Sequence, residues 1–173
     1  MPQVNQASAR TADSPLGVLQ VGQTAPLFSL PDADMEMVEL GQFHGKKNVV
    51  LYFYPRDGTP GCTLQATDFS DHEDEFALHD CVVMGVSPDD CLIHAEFRDQ
   101  HGVSIRLLAD TESEVCRKYG VVHEKEESNG CRKTCIARST FIIDKRGKVV
   151  HALHGVTPRG HAAEVLNLVK SLG

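Results

Sequence analysis

The stretch "NVVLYFYPRDGTPGCTLQATDF" (Asn48–Phe69) changes pattern midway, from strand-like to helix-like. Its opening run, 48–54, is apolar without alternation and rich in β-branched and aromatic residues, as in a central strand covered on both faces. Beyond it the chain turns polar at helical spacing, and Leu64, Phe69, Glu73 and Phe76 are expected on one face of an amphipathic helix. "CVVMGVS" (Cys81–Ser87) is a second strand of the same kind. Strand, helix, strand in that order implies a right-handed crossover and a parallel pair. Cys62 falls where the first strand gives way to the helix.

Upstream, "VGQTAPLFSLPDADMEMVEL" carries short alternating runs broken by Pro and Asp, an N-terminal hairpin region. "SPDDCLIHAEFRDQHG" is expected to be a helix with Ser87 as N-cap, Pro88 at the first position and Gly102 after its end. "IRLLAD" is a short strand, and "TESEVCRKYG" a short helix with a Thr/Glu capping pattern. "STFIIDKRGKVVHALHG" alternates around a turn and predicts a β-hairpin. "HAAEVLNLVKSL" closes the chain as an amphipathic helix with Ala162, Leu166, Val169 and Leu172 inward. These elements make one α/β domain over residues 18–173: a thioredoxin-like fold, with a central mixed β-sheet flanked by helices.

The 173 residues suffice for one domain with its own core. A net charge of -7 argues against a general nucleic-acid binder or a membrane-surface protein, because phosphate contacts need clustered Lys and Arg. No apolar stretch is long enough to cross a bilayer. Residues 1–17 are polar and aperiodic and lack the apolar core of a secretory signal; they are expected to form a flexible tail. The six cysteines are scattered through strand-like and helix-like segments, which favours a reduced, cytoplasmic protein over a disulfide scaffold.

In open α/β sheets reactive groups gather where strand ends meet helix starts. Thr59 suits an N-cap and Pro60 the first helical position. Cys62 then lies in the first turn, where free N–H groups and the helix dipole favour a thiolate. By placement alone, a reactive thiolate and a cysteine that merely packs remain equally open.

"PRDGTPGC" reads as P-x3-T-x2-C and resembles the peroxidatic signature of the peroxiredoxins. "VLYFYPRDGTPGCT" is similar in particular to the peroxiredoxin Q, or bacterioferritin comigratory protein, subfamily. "VGQTAPLFSLPD", "GVSPDD" and "ARSTFIIDKRGKVV" resemble the opening, second core strand and C-terminal hairpin of that subfamily, so the likeness covers roughly residues 18–173. The resemblance implies that Cys62 is the peroxidatic nucleophile, which becomes a sulfenic acid on attacking peroxide. It implies that Thr59 orients thiolate and peroxide, that Pro55 shapes the pocket, and that Arg138 stabilises the charge developing on the peroxide oxygens.

One departure from the subfamily bears on the cycle. Many members carry a second cysteine five positions after the first, where this chain has Thr67. Others carry it on the next helix, at a place matching Arg98; Cys91 lies seven residues earlier on the same helix face. Cys91, Cys131 and Cys135 are therefore all candidates for the resolving thiol, the last two on a loop leading to Arg138, and an external thiol is the remaining option. Cys81 and Cys116 are expected in the core. "CRKTC" with His123 upstream is at most half a zinc site, so no metal is expected.

The resemblance implies a thiol-dependent peroxidase acting on hydrogen peroxide and organic hydroperoxides. Its electrons would come from thioredoxin, glutaredoxin or a small thiol, with no bound cofactor, and it would work as a monomer or weak dimer. The alternatives are a peroxide sensor that passes oxidation to client proteins by mixed disulfides, and a binding module with a vestigial site.

Overall fold

The computed structural model describes residues 18–126, 128, 130 and 132–172. The proposed tail at 1–17 and the candidate Cys131 lie outside the described residues.

β1 (Ser29–Pro31) and β2 (Met37–Glu39) form the N-terminal hairpin. β3 (Asn48–Phe53) is buried at every position, and its side chains alternate between two cores as the period of a strand requires. Val49, Leu51 and Phe53 pack with Leu30, Val38, Tyr119 and Phe141. Val50, Tyr52 and Tyr54 pack with Phe69, Phe76, Ile142 and Val165 on the other face. β4 (Cys81–Ser87) and β5 (Arg106–Ala109) extend the sheet in parallel from β3. β8 (Ser139–Ile143) and β9 (Val149–His154) continue it antiparallel on the opposite side, giving the order β5-β4-β3-β8-β9. The expected thioredoxin-like sheet, parallel at its centre with an antiparallel C-terminal edge, is thus present. Gly85 stands opposite Tyr52 in the parallel register, and a Cβ there would lie 2.7 Å from Tyr52 Cζ. Only glycine leaves room for that ring.

Several expected helices differ in detail. The single helix between β3 and β4 is two, α1 (Pro60–Asp71) and α2 (Glu73–Leu78), divided at His72. His72 leaves the helical conformation at φ -100°, ψ 2°, and its ring bonds back to the Asp68 carbonyl. The buried side of α1 is Cys62, Gln65, Ala66 and Phe69, while Leu64 is exposed. α3 (Cys91–His101) starts later than expected: Asp90 caps it by accepting from the Ile93 N–H, and Ser87 is the last residue of β4. Its end agrees with expectation, at Gly102 in the left-handed region. α4 (Glu114–Lys118) takes no cap from Thr111; the Asp110 carboxylate accepts from the N–H groups of Val115 and Cys116. The segment expected as a loop before Arg138 contains a second hairpin, β6 (Val122–Glu126) with β7 (Arg132–Ile136).

α5 (His161–Lys170) buries Ala162, Leu166 and Val169 as expected, with Leu172 partly buried beyond its end. His161 at its start is buried, with Nε2 2.7 Å from Thr140 Oγ1 and Nδ1 3.3 Å from Glu164. Burial pushes the His161 imidazole below its ordinary value, opposed in part by the Glu164 carboxylate. The folded protein therefore holds His161 neutral at a pH where the unfolded chain protonates it. Its contribution is complete above the unfolded value of about 6.5 and is lost as pH falls through that value toward the depressed folded one. The melting temperature is expected to fall between about pH 7 and pH 5, less steeply in His161→Gln. Equal slopes for the two proteins would contradict this role.

Candidate active site

The carboxyl ends of β3 and β4 open onto the start of α1. Thr59 is extended at φ -79°, ψ 153°, and its Oγ1 accepts from the Cys62 N–H at 3.3 Å. Pro60 follows at the first helical position, where a missing N–H costs nothing. The cap fixes the first turn, and with it Cys62, whose side chain is 1% exposed in the core shared by Tyr52, Tyr54 and Phe69.

The sulfur has one polar neighbour of note. Arg138, between β7 and β8, directs Nη1 to within 3.4 Å of Cys62 Sγ. The same nitrogen donates to Gln65 Oε1 at 2.9 Å, which fixes the guanidinium in place. Gln65 lies one turn beyond Cys62 on the buried side of α1 and is itself 1% exposed. Gly61 permits the approach: a Cβ there would be 3.3 Å from both Arg138 Nη2 and Pro158 Cγ. A cation held against an enclosed sulfur in a helix's first turn stabilises negative charge on that sulfur and on any oxygen presented to it.

Residues 21–152 match the AhpC/TSA family. The chain belongs to that family. Peroxiredoxin Bcp of Bacillus subtilis is 39% identical over 154 residues, covering 89% of this chain and 97% of the relative. Peroxiredoxin Bcp of Escherichia coli is 38% identical over 152 residues, covering 88% and 96%. Among solved structures, peroxiredoxin Q of Xanthomonas campestris superposes with a TM-score of 0.80 at 33% identity, over 89% of this chain and 96% of its own. This AhpC/TSA member is a peroxiredoxin of the Q, or bacterioferritin comigratory protein, subfamily, and peroxiredoxins are thiol peroxidases.

Of the residues expected in the peroxiredoxin site, Cys62, Thr59 and Arg138 come together. Pro55 is exposed where the chain leaves β3. Cys91 opens α3 and is half-buried; burial and the Asp32 and Asp90 carboxylates push its thiol up. Cys135 is on β7, opposite His123, not on a loop. Cys81 and Cys116 are buried as expected; burial pushes Cys81 up to about 12 and raises Cys116 as well. Both thiols therefore stay protonated and inert near neutral pH.

Four residues around the site were not expected from the sequence: Gln65, Gly61, Asp57 and His94. Gln65 was legible as a polar residue three positions after Cys62, on the helix face that must be buried. Gly61 was legible only in hindsight, since a glycine in a first turn has no demand of its own until the arginine arrives. Asp57 and His94, 37 residues apart, meet through Nδ1 and Oδ2 at 2.5 Å, and no local pattern joins them.

Proposed function

We propose that Cys62 is the peroxidatic cysteine of this peroxiredoxin, and that hydrogen peroxide and alkyl hydroperoxides are its substrates. The observation that carries the reading is the Arg138 guanidinium 3.4 Å from a sulfur in a threonine-capped first turn. The Cys62 thiolate attacks one peroxide oxygen and supplies the electron pair. The S–O bond forms, the O–O bond breaks, and the departing alkoxide or hydroxide leaves as alcohol or water on taking a proton. Arg138 holds the charge that develops on the oxygens, and the Thr59 hydroxyl, whose oxygen already accepts from the Cys62 N–H, has its proton free to donate to sulfur or peroxide. An alkyl peroxide reduction activity is named for the X. campestris bacterioferritin comigratory protein, 32% identical with a TM-score of 0.80 over 89% of this chain and 97% of its own.

The sulfenic acid is then resolved by a thiol. With Cys62 this enclosed, the first turn of α1 must open before any second sulfur reaches it, because a disulfide needs Cα atoms within about 7 Å. Cys91 and Cys135, with Cys131 outside the described residues, are the internal candidates. The raised Cys91 thiol attacks slowly near neutral pH, which supports the participation of an external small thiol, thioredoxin or glutaredoxin. Such electron donors suit a cytoplasmic monomer or weak dimer. Among the described residues no helix is long and apolar enough to cross a membrane.

Turnover tests the function directly. Reduced protein with excess thiol should consume many equivalents of hydrogen peroxide, whereas a sensor or adaptor would stop after one. Thr59→Val separates the threonine's two roles. It is expected to cost about 1 kcal/mol of stability through the lost cap, and about 10² to 10⁴-fold in the rate of Cys62 oxidation through the lost hydroxyl. A lower melting temperature with an unchanged rate would reduce Thr59 to a cap.

A further inference from the structure

The loop that delivers Thr59 and Cys62 is itself held from behind. Asp57, two residues before Thr59, is almost fully buried as a side chain, and both of its carboxylate oxygens are engaged. Oδ1 accepts from the Tyr54 hydroxyl at 2.6 Å, and Oδ2 lies 2.5 Å from His94 Nδ1. The Asp57 N–H donates to Asp89 Oδ2 at 2.6 Å, and that oxygen also accepts from Ser87 Oγ at 2.8 Å. His94 is fully buried on α3, and its Nε2 lies 3.0 Å from the Leu108 carbonyl of β5. A carbonyl only accepts, so Nε2 carries a proton, and Nδ1 shares another with Asp57. The carboxylates of Asp57 and Asp89 and the His94 imidazole bring ligand atoms within 4.8 Å of one another, yet their lone pairs and protons serve these bonds.

Between this cluster and Thr59 stands only Gly58, at φ +89°. Glycine tolerates that conformation and many others, so it fixes nothing by itself. What fixes the loop is the anchorage of Asp57 to rigid elements, the strand end at Tyr54, the α3 helix and the β5 backbone. Resting on the peroxidase reading above, we propose that Asp57 and His94 are positioning residues, which lock the 54–59 loop so that the Thr59 hydroxyl and the first turn of α1 meet the peroxide in line with Cys62. Neither touches the sulfur; they act through Thr59. Small displacements of a placed group are costly in rate even when binding and fold survive.

The test compares two reactions of the same thiol in the reduced protein. Oxidation by hydrogen peroxide needs the placed Thr59, whereas alkylation by iodoacetamide needs only an accessible thiolate. Tyr54→Phe removes one donor to Asp57 and leaves the ring in the core, so it is the variant least disturbing to folding. His94→Leu removes both imidazole contacts, and His94→Asn keeps a donor toward Asp57. Relative to wild type, the ratio of peroxide rate to alkylation rate is expected to fall about tenfold or more in His94→Leu, with alkylation unchanged or faster. Tyr54→Phe should show a smaller fall in the same direction, and His94→Asn should recover part of the loss. An unchanged ratio in both Tyr54→Phe and His94→Leu, or peroxide and alkylation rates falling in proportion, overturns the proposal. Failure of wild-type Cys62 to oxidise rapidly would instead contradict the peroxidase reading, which the variants' ratios do not address.

Discussion

Cys62→Ser is expected to reduce thiol-dependent peroxide consumption to background, a loss on the order of 10³-fold or more. Serine is nearly isosteric and keeps the buried site filled, so the fold should persist and the loss should belong to chemistry. The oxygen of serine cannot take the place of sulfur, because the step requires an atom that gives up two electrons and ends as a sulfenic acid. Cys81 and Cys116 offer no substitute, being buried and held protonated. Cys91 and Cys135 are half-buried, but neither stands in the capped first turn beside Arg138. Retained turnover in Cys62→Ser would remove the foundation of the assignment.

Arg138→Ala is expected to be the next most damaging change, with the second-order rate of Cys62 oxidation falling about 10² to 10³-fold. The substitution removes the cation 3.4 Å from Sγ and leaves Gln65, buried beneath it, without its donor. Arg138→Lys should recover only part of the rate. A lysine ammonium could donate to both the sulfur and the glutamine carbonyl, as Nη1 does here, but it sits on a flexible stem and lacks the planar guanidinium whose second nitrogen lies against Gly61 and sets the orientation of Nη1. Stopped-flow oxidation of the reduced variants checks this. A rate within about twofold of wild type in Arg138→Ala would make the arginine a structural charge and move the electrostatic stabilisation to the helix terminus.

The parts of this structure legible in the sequence were those dictated by burial. The runs at 48–54 and 81–87 are apolar on both faces because their strands are covered on both sides, and their parallel pairing followed from the helix between them. The hairpin from β8 to β9 announced itself by alternation around a turn. Cys62 and Thr59 were legible because helix starts have strong local chemistry, and Arg138 through a likeness spread over the whole domain.

What escaped was decided by partners distant in the chain or by hydrogen bonds of polar side chains, which hydrophobic periodicity does not register. Helix α3 begins at Cys91 because Ser87 completes β4 and Asp89 is recruited to Asp57. Asp110 caps α4 from outside the expected pattern, while Ser113 turns left-handed at φ 56°. The β6–β7 hairpin is polar, so periodicity concealed it; the Asn-Gly pair at 129–130 was the available signal. The clamp on Asp57 was invisible for the same reason, since it joins residues from a loop, a helix and two strands.

In the proposed reaction, oxidation enters the protein at Cys62. Peptide mass mapping after one equivalent of hydrogen peroxide is added to the reduced protein, with a sulfenic-acid trap present, tests it most directly. Modification is expected at Cys62, as a trapped sulfenic acid or as a disulfide joining it to Cys91, Cys131 or Cys135. Cys62 left unmodified while another cysteine is oxidised would contradict it.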